Sequence, residues 1–284
     1  MVRWTAGYAR VVQRTVLITG AGSGIGLASA VEAARLGFST VAAVHRPDQA
    51  DDVRHAARAA GTEVATEVLD VTDDERAGEL IRRLEPWALV NNAGYLNPGL
   101  IEDVSPEDAR RQFDTMVFAP MRLAQHALPG MRRQGGGRIV NVSSALVGVG
   151  TPFQGWYTAA KQAIAALSDA LRVEVAPHAV EVVVVEPGAV ETPLWDKARE
   201  DLVARRDRSR EPERYDHALA ALEQLRRMGG DPDDIAQVVG ATLHAGRPRY
   251  RYQVGTGSLA MRVGGRLVPT SVRDRVTRTV AGLR

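Results

Sequence analysis

The chain reads as a doubly wound α/β sandwich, a mostly parallel sheet flanked by helices on both faces, and three observations predict it. An apolar strand, Thr15-Val16-Leu17-Ile18-Thr19, runs into the glycine-rich turn Gly20-Ala21-Gly22-Ser23-Gly24-Ile25-Gly26 and then into a helix-like run from Leu27 to Leu36. Short β-branched strands alternate with Ala-rich helical segments through the rest of the chain, the pattern of parallel strands joined by crossover helices. Tyr157 and Lys161 stand four apart on one such helix, so that both side chains share a face.

The first strand, turn and helix form an arrangement suited to phosphate. Glycines let backbone approach a pyrophosphate, and a helix N-terminus offers free N–H groups and positive dipole. The run reads Thr-Gly-x-x-x-Gly-x-Gly and does not fit the G-x-G-x-x-G register. Further on, Arg138-Ile139-Val140-Asn141-Val142-Ser143-Ser144 reads as a strand ending in two hydroxyls, with Ser144 thirteen residues before Tyr157. A loop and a helix start between them bring the hydroxyl beside the phenol, where a carbonyl oxygen accepts from both. Lys161 is one of only two lysines, the other being Lys197, among 36 Lys+Arg. A compact ammonium sits beside a phenol in a way that a permanently charged, forked guanidinium does not. The pair therefore points to a tyrosine acid/base whose pKa is lowered by Lys161.

These motifs together resemble the short-chain dehydrogenase/reductase family over roughly residues 15–257. The resemblance implies a Rossmann-type fold with a seven-stranded sheet and assigns Ser144, Tyr157 and Lys161 as catalytic. It implies cofactor contacts from Gly20, Ser23, Gly24, Ile25 and Gly26, and from Asp70 and Val71 at the adenine. Asn92, Ala93 and Gly94 of the Asn-Asn-Ala-Gly run add to these. Tyr157 and Lys161 join them at the ribose. The Glu186-Pro187-Gly188-Ala189-Val190-Glu191-Thr192 segment passes the nicotinamide, with Pro187, Gly188, Val190 and Thr192 as contacts. One position departs: in Phe113-Asp114-Thr115-Met116-Val117-Phe118-Ala119, Met116 stands where the family carries an asparagine that holds a relay water. A thioether is a weak acceptor and no donor.

Charge at the end of the second strand argues the cofactor. An acid there accepts from a ribose 2′-hydroxyl, whereas an arginine accommodates a 2′-phosphate. Thr40–Val44 ends in His45-Arg46-Pro47, with no carboxylate before Asp48. NADP(H) is expected, with Arg46 the main discriminator and His45 secondary.

Composition bounds the remainder. The 284 residues fit one doubly wound domain at 15–257, preceded by an extension at 1–14 and followed by a basic tail at 258–284. A formal net charge of +2 does not imply nucleic acid, and zero cysteines exclude disulfides and thiolate chemistry. The six histidines lack ligand spacing, so no metal is expected. No apolar run reads as a signal or span, and a cytoplasmic protein is expected. Residues 193–230 read as a mobile lid with one apolar face. With Leu96, Leu146, Phe153, Trp156 and Trp195 as pocket residues, and no basic cluster to clamp an anion, a bulky apolar ketone, aldehyde or alcohol is the expected substrate. The tail reads as a basic amphipathic helix packed on the domain, membrane contact being the lesser reading. Small residues at Ala159, Ala160, Ala163, Ala165, Ala166 and Ala170 allow close helix packing, and similar proteins pair through this helix, so a homodimer or homotetramer is expected. The alternative function is an NADP(H)-binding module in which Met116 has impaired catalysis.

Overall fold

The computed structural model describes residues 14–147, 150–255 and 270–280. Seven strands, β1 (Thr15–Thr19), β2 (Ser39–Val44), β3 (Ala65–Val68), β4 (Ala88–Asn91), β5 (Gly137–Val142), β6 (Val180–Pro187) and β7 (Arg251–Val254), form one sheet. Their order is β3-β2-β1-β4-β5-β6-β7, and each pairing is parallel. The helices are α1 (Gly24–Arg35), α2 (Pro47–Ala59), α3 (Asp74–Leu84), α4 (Pro106–Phe113), α5 (Ala119–Arg133), α6 (Gly155–Val175), α7 (Leu194–Arg206), α8 (Pro212–Arg227), α9 (Pro232–His244) and α10 (Thr270–Val280).

The strands read as near-continuous apolar runs because the sheet is covered on both faces. Val16 and Ile18 of β1 enter the core shared with α1, α2 and α9, while Leu17 enters the opposite core with α3, α5 and the end of α6. In β5, Val140 and Ile139 divide in the same way. All five side chains have no exposed surface, and burial of such a side chain stabilises by about 1.5–3 kcal/mol. After β3 the chain returns to place β4 on the other side of β1. That reversal opens a crevice at the carboxyl ends of β1 and β4, where doubly wound sheets bind ligands.

Two irregular features shape the crevice. Between α4 and α5 lies a π-helical turn, Asp114–Phe118, closed by the Ala119 N–H donating to Asp114 O. Pro120, which follows it, lacks an N–H, and its ring would crowd the Met116 carbonyl in an α-helix, so a regular helix is disfavoured here. The second is the α7–α8 hairpin, the segment expected as a mobile lid. It carries its own core of Trp195, Leu202, Tyr215 and Leu222 and is fixed to the 97–108 segment by buried polar contacts. Arg205 donates to Pro98 O at 2.8 Å, to Asn97 Oδ1, and to Asp108 Oδ2 at 3.1 Å. The wholly buried Tyr215 donates to Asp103 Oδ2 at 2.7 Å and accepts from Leu100 N at 3.2 Å. The expected lid thus includes an arginine, Arg205, that is a buried tie. Helix α10 falls within the expected tail; the rest of that tail and residues 1–13 lie outside the described residues.

Candidate active site

The glycine turn is set by contacts that exclude side chains. Gly20 and Gly24 have φ of +63° and +52°, the left-handed region that favours glycine. A Cβ on Gly20 would lie 2.6 Å from Ala93 Cα, and one on Gly26 would lie 2.2 Å from Gly20 O. Asn92 pins the turn, its Nδ2 donating to Thr19 O at 3.1 Å and Gly20 O at 3.0 Å. The Ala93 N–H donates to Thr19 Oγ1 at 3.2 Å. Helices α3, α4 and α9 have side-chain caps from Asp73, Ser105 and Asp231 and acids in their first turns. Helix α1 has neither: Ser23 makes no capping bond and its first turn holds no acid. Its N–H groups and dipole are left for an anion.

Along the rim, His45 Nε2 stands 3.8 Å from Asp70 Oδ2, both side chains exposed. Burial alone would raise the Asp70 pKa, but hydrogen bonds from the Thr72 hydroxyl and N–H, with the His45 charge, bring it below the usual carboxylate range. Val71 is buried in the core beneath. Arg46 is exposed; its Nε and Nη2 donate to Asp48 at 3.1 and 3.0 Å, and Nη1 has no partner among the described residues.

Ser144 follows β5, while Tyr157 and Lys161 occupy the first turns of α6. Strand and helix are tied twice around the lysine. Ser143 Oγ donates to Lys161 O at 2.9 Å, and Lys161 Nζ donates to Val142 O at 2.7 Å. Lys161 is buried, and desolvation lowers its pKa to about 8. Burial pushes the Tyr157 phenol up to about 12, opposed by its hydrogen bond with Ser144. This corrects the expected lowering by Lys161. The ammonium lies 5.8 Å from the ring centroid and is engaged by the Val142 carbonyl, so desolvation wins. At neutral pH the phenol holds its proton.

These groups line one cavity of about 520 Å³ at the crevice. Gly20, Ser23, Gly24, Ile25, Asn92 and Gly94 form one wall, and Pro187, Gly188, Val190 and Thr192 another. Ser144, Tyr157 and Lys161 face them, with Leu96, Leu146 and Trp195 alongside. Gly26, His45, Arg46, Asp70, Val71 and Ala93 lie outside the lining, in the turn's support and the rim. Phe153 and Trp156, expected in the substrate pocket, do not line it either. Phe153 has φ of +64°, which carries its ring onto Tyr215 at a centroid distance of 5.1 Å. Trp156 turns to Phe113, edge-on at 6.2 Å.

Residues 14–203 match the family profile of short chain dehydrogenase. The chain belongs to the short-chain dehydrogenase family. It is 32% identical to the uncharacterized oxidoreductase YusZ of Bacillus subtilis, over 80% of this chain and 83% of that protein. Retinol dehydrogenase 8 of Bos taurus is 31% identical, over 86% of this chain and 82% of its own length. A short-chain dehydrogenase/reductase from Burkholderia phymatum, solved in complex with NAD, superposes with a TM-score of 0.77 at 26% identity, covering 88% of this chain and 92% of that one. A variant of actinorhodin polyketide ketoreductase solved with NADPH gives 0.73 at 25% identity, covering 87% and 97%.

As a short-chain dehydrogenase the chain is an oxidoreductase served by a nicotinamide dinucleotide, and the residues present fit that group. Uncapped N–H groups at α1 suit its pyrophosphate, and the close facing of Gly24 and Thr192, where a Cβ would meet Thr192 Cγ2 at 2.7 Å, leaves room only for glycine. The family departure at Met116 is also a structural fact. The side chain is buried in the π turn, packed with Tyr157 and Ala160. A Cβ on Gly94 would lie 3.4 Å from Met116 Cγ and 3.8 Å from Lys161 Nζ, so the thioether lies beside the lysine. Thr115 donates its hydroxyl to Arg111 O at 3.0 Å and serves its own helix. Sequence reasoning missed Tyr95, Gln154, Leu194, Leu225 and Met228, which also line the cavity. Leu225 and Met228 were legible only as a helical apolar stripe, which reads equally as core.

Proposed function

We propose that the protein is an NADP(H)-dependent reductase of bulky apolar ketones or aldehydes. The observation that carries the reading is a protonated Tyr157 and Ser144 on the wall of a largely apolar cavity beside the glycine turn. Reduction of a carbonyl needs a proton delivered to oxygen, and a phenol at about 12 retains that proton at neutral pH. Tyr157 donates to the nascent alkoxide while Ser144 hydrogen-bonds the same oxygen and fixes the carbonyl against the phenol. Lys161 carries positive charge below about pH 8, which favours arrival of negative charge at the phenol oxygen as its proton leaves. The dinucleotide supplies the hydride. Gly20, Gly24, Thr192 and the N-terminus of α1 would hold it, with Tyr157 and Lys161 at its ribose.

Preference for the 2′-phosphate rests on Arg46, whose Nη1 has no partner among the described residues while Asp48 holds the other two guanidinium nitrogens. Leu96, Leu194, Trp195, Leu225 and Met228 supply the apolar wall, and among the described residues Lys161 is the only cationic side chain in the lining. That favours a neutral, apolar carbonyl. A cytoplasmic location and pairing through α6 complete the reading. Among the described residues no helix is long and apolar enough to cross a membrane.

The buried Met116 favours a second reading, a dinucleotide-binding module without useful turnover, and one experiment separates the two. Purified protein is assayed with NADPH and with NADH against a panel of apolar ketones, beside Tyr157→Phe. Turnover with NADPH preferred, reduced at least about a thousandfold in Tyr157→Phe with cofactor binding intact, is expected. Full activity in Tyr157→Phe would sink the assignment, and tight NADPH binding without oxidation across the panel would favour the binding module.

A further inference from the structure

The polar side chains on the cavity wall are nearly all accounted for. Asn92 is spent on Thr19 and Gly20 carbonyls, and Ser143 on Lys161 O. Ser144, Tyr157 and Lys161 form the reacting set, and Ser23 and Thr192 belong to the dinucleotide walls. Two remain. Gln154 and Tyr95 line the cavity, both half-buried, and neither the side-chain amide of the one nor the hydroxyl of the other has a hydrogen-bond partner among the described residues. Gln154 precedes α6 and stands three residues before Tyr157, so it lies about one helical turn, roughly 5 Å, along the same wall.

The chain accepts strain to put it there. Phe153 adopts φ of +64°, a costly conformation for a bulky residue. Its carbonyl accepts from Gly99 N at 2.8 Å, and its ring is anchored on Tyr215. The strained residue is therefore held from both sides, and the next residue is delivered to the cavity with its side-chain amide unpaired among the described residues.

Resting on the reductase reading above, we propose that Gln154, which lines the same cavity as Tyr95, is a specificity contact for a second polar group on the substrate. The substrate is then a bulky neutral ketone carrying another uncharged oxygen or nitrogen about one helical turn, roughly 5 Å, from the reacting carbonyl. A primary amide offers two donors and an acceptor, so it takes a hydroxyl, a second carbonyl or an amide equally well. A charged group is disfavoured because, among the described residues, Lys161 is the only cation lining the cavity and is already directed at Val142 O, and no carboxylate lines it.

The test uses a matched pair, a decalone and the corresponding decalin dione. Their binding to wild type and Gln154→Leu is followed by calorimetry, with NADPH-dependent turnover in parallel. Wild type is expected to bind the dione about tenfold tighter than the decalone, Gln154→Leu to lose that preference while holding the decalone unchanged, and Gln154→Asn to recover part of it. No preference in wild type, or the same preference in Gln154→Leu, would overturn the proposal. The two readings fail separately. A Gln154-dependent preference in binding with neither ketone reduced supports the contact and removes the reductase, whereas reduction of both ketones at a ratio indifferent to Gln154 removes the contact alone.

Discussion

Lys161 is a cation placed where a cation is costly. It is 6% exposed, and among the described residues its Nζ has one protein acceptor, Val142 O, and no carboxylate partner. Its pKa falls from 10.5 to about 8 by desolvation, which fixes the sign of its effect on stability. Between about pH 8 and 10.5 the unfolded chain binds a proton that the native state has released, so this residue's contribution improves as pH rises through that window. Below pH 8 both states carry the charge and the native state bears the whole penalty. Lys161→Met, which keeps the stem and removes the charge, is therefore expected to stabilise the fold at pH 7 by on the order of 3 kcal/mol. The gain should fall to about 1 kcal/mol by pH 10 and vanish above about pH 10.5, and turnover should be lost. Chemical denaturation at both pH values checks this, and a variant less stable than wild type at pH 7 would show that the ammonium is a structural asset. The identity of this residue was legible because lysine is so scarce in the chain. The direction of the phenol's pKa was not, since it depends on burial and on where the ammonium points, and sequence spacing reports neither.

The π turn between α4 and α5 shows how an element can move a residue's meaning. An α-helical period through residues 113–119 does not say which of Thr115 and Met116 faces the site, because a π turn inserts one residue and rotates every later position about the helix axis. The signal that would have found it is Pro120. Its missing N–H leaves Met116 O without an α-helical donor, next to the bond that closes from Ala119 to Asp114. The outcome is Met116 beside Gly94 and Lys161, with Thr115 bonded back to Arg111 O. Met116→Asn replaces a well-packed thioether with a buried amide, expected to cost about 1–3 kcal/mol of stability. It restores a donor and acceptor next to the lysine, so kcat is expected to rise while KM for the ketone stays the same. An unchanged kcat in a folded variant would mean that protons reach Lys161 by another route. The glycine turn, by contrast, was legible in full, since only glycine satisfies positive φ and contacts as short as 2.2 Å. Phe153 and Trp156 were misplaced because a left-handed residue and a helix start reverse the direction that a linear reading gives them.

At the scale of the whole molecule, α6 divides its small residues between two tasks. Ala160 and Ala165 are buried against the domain, whereas Ala159, Ala166, Ala170 and Val173 are exposed and Ala163 is half-buried. The sequence showed an Ala-rich helix but not this division. The four exposed positions and half-buried Ala163, which also touches the Met116 cluster, succeed one another at spacings of four, three, four and three, a single stripe along the helix. Val173 is 64% exposed, and a stripe of this kind lets a second helix approach closely with little side-chain entropy lost. Pairing of two copies across this stripe would also buttress the helix that carries Tyr157 and Lys161 at its start. Ala166→Glu would bring two like charges into the centre of such a contact and strand them away from water. The expected result is a shift from dimer or tetramer to monomer, with the dissociation constant raised at least about a hundredfold. Sedimentation velocity across a dilution series reads the mass directly, with circular dichroism to establish that the variant is folded. Because Ala166 points away from the cavity, the folded monomer should still bind dinucleotide, so the loss would lie in assembly and not in the site. An unchanged mass in Ala166→Glu would place the contact between copies on another face and leave the stripe as solvated surface.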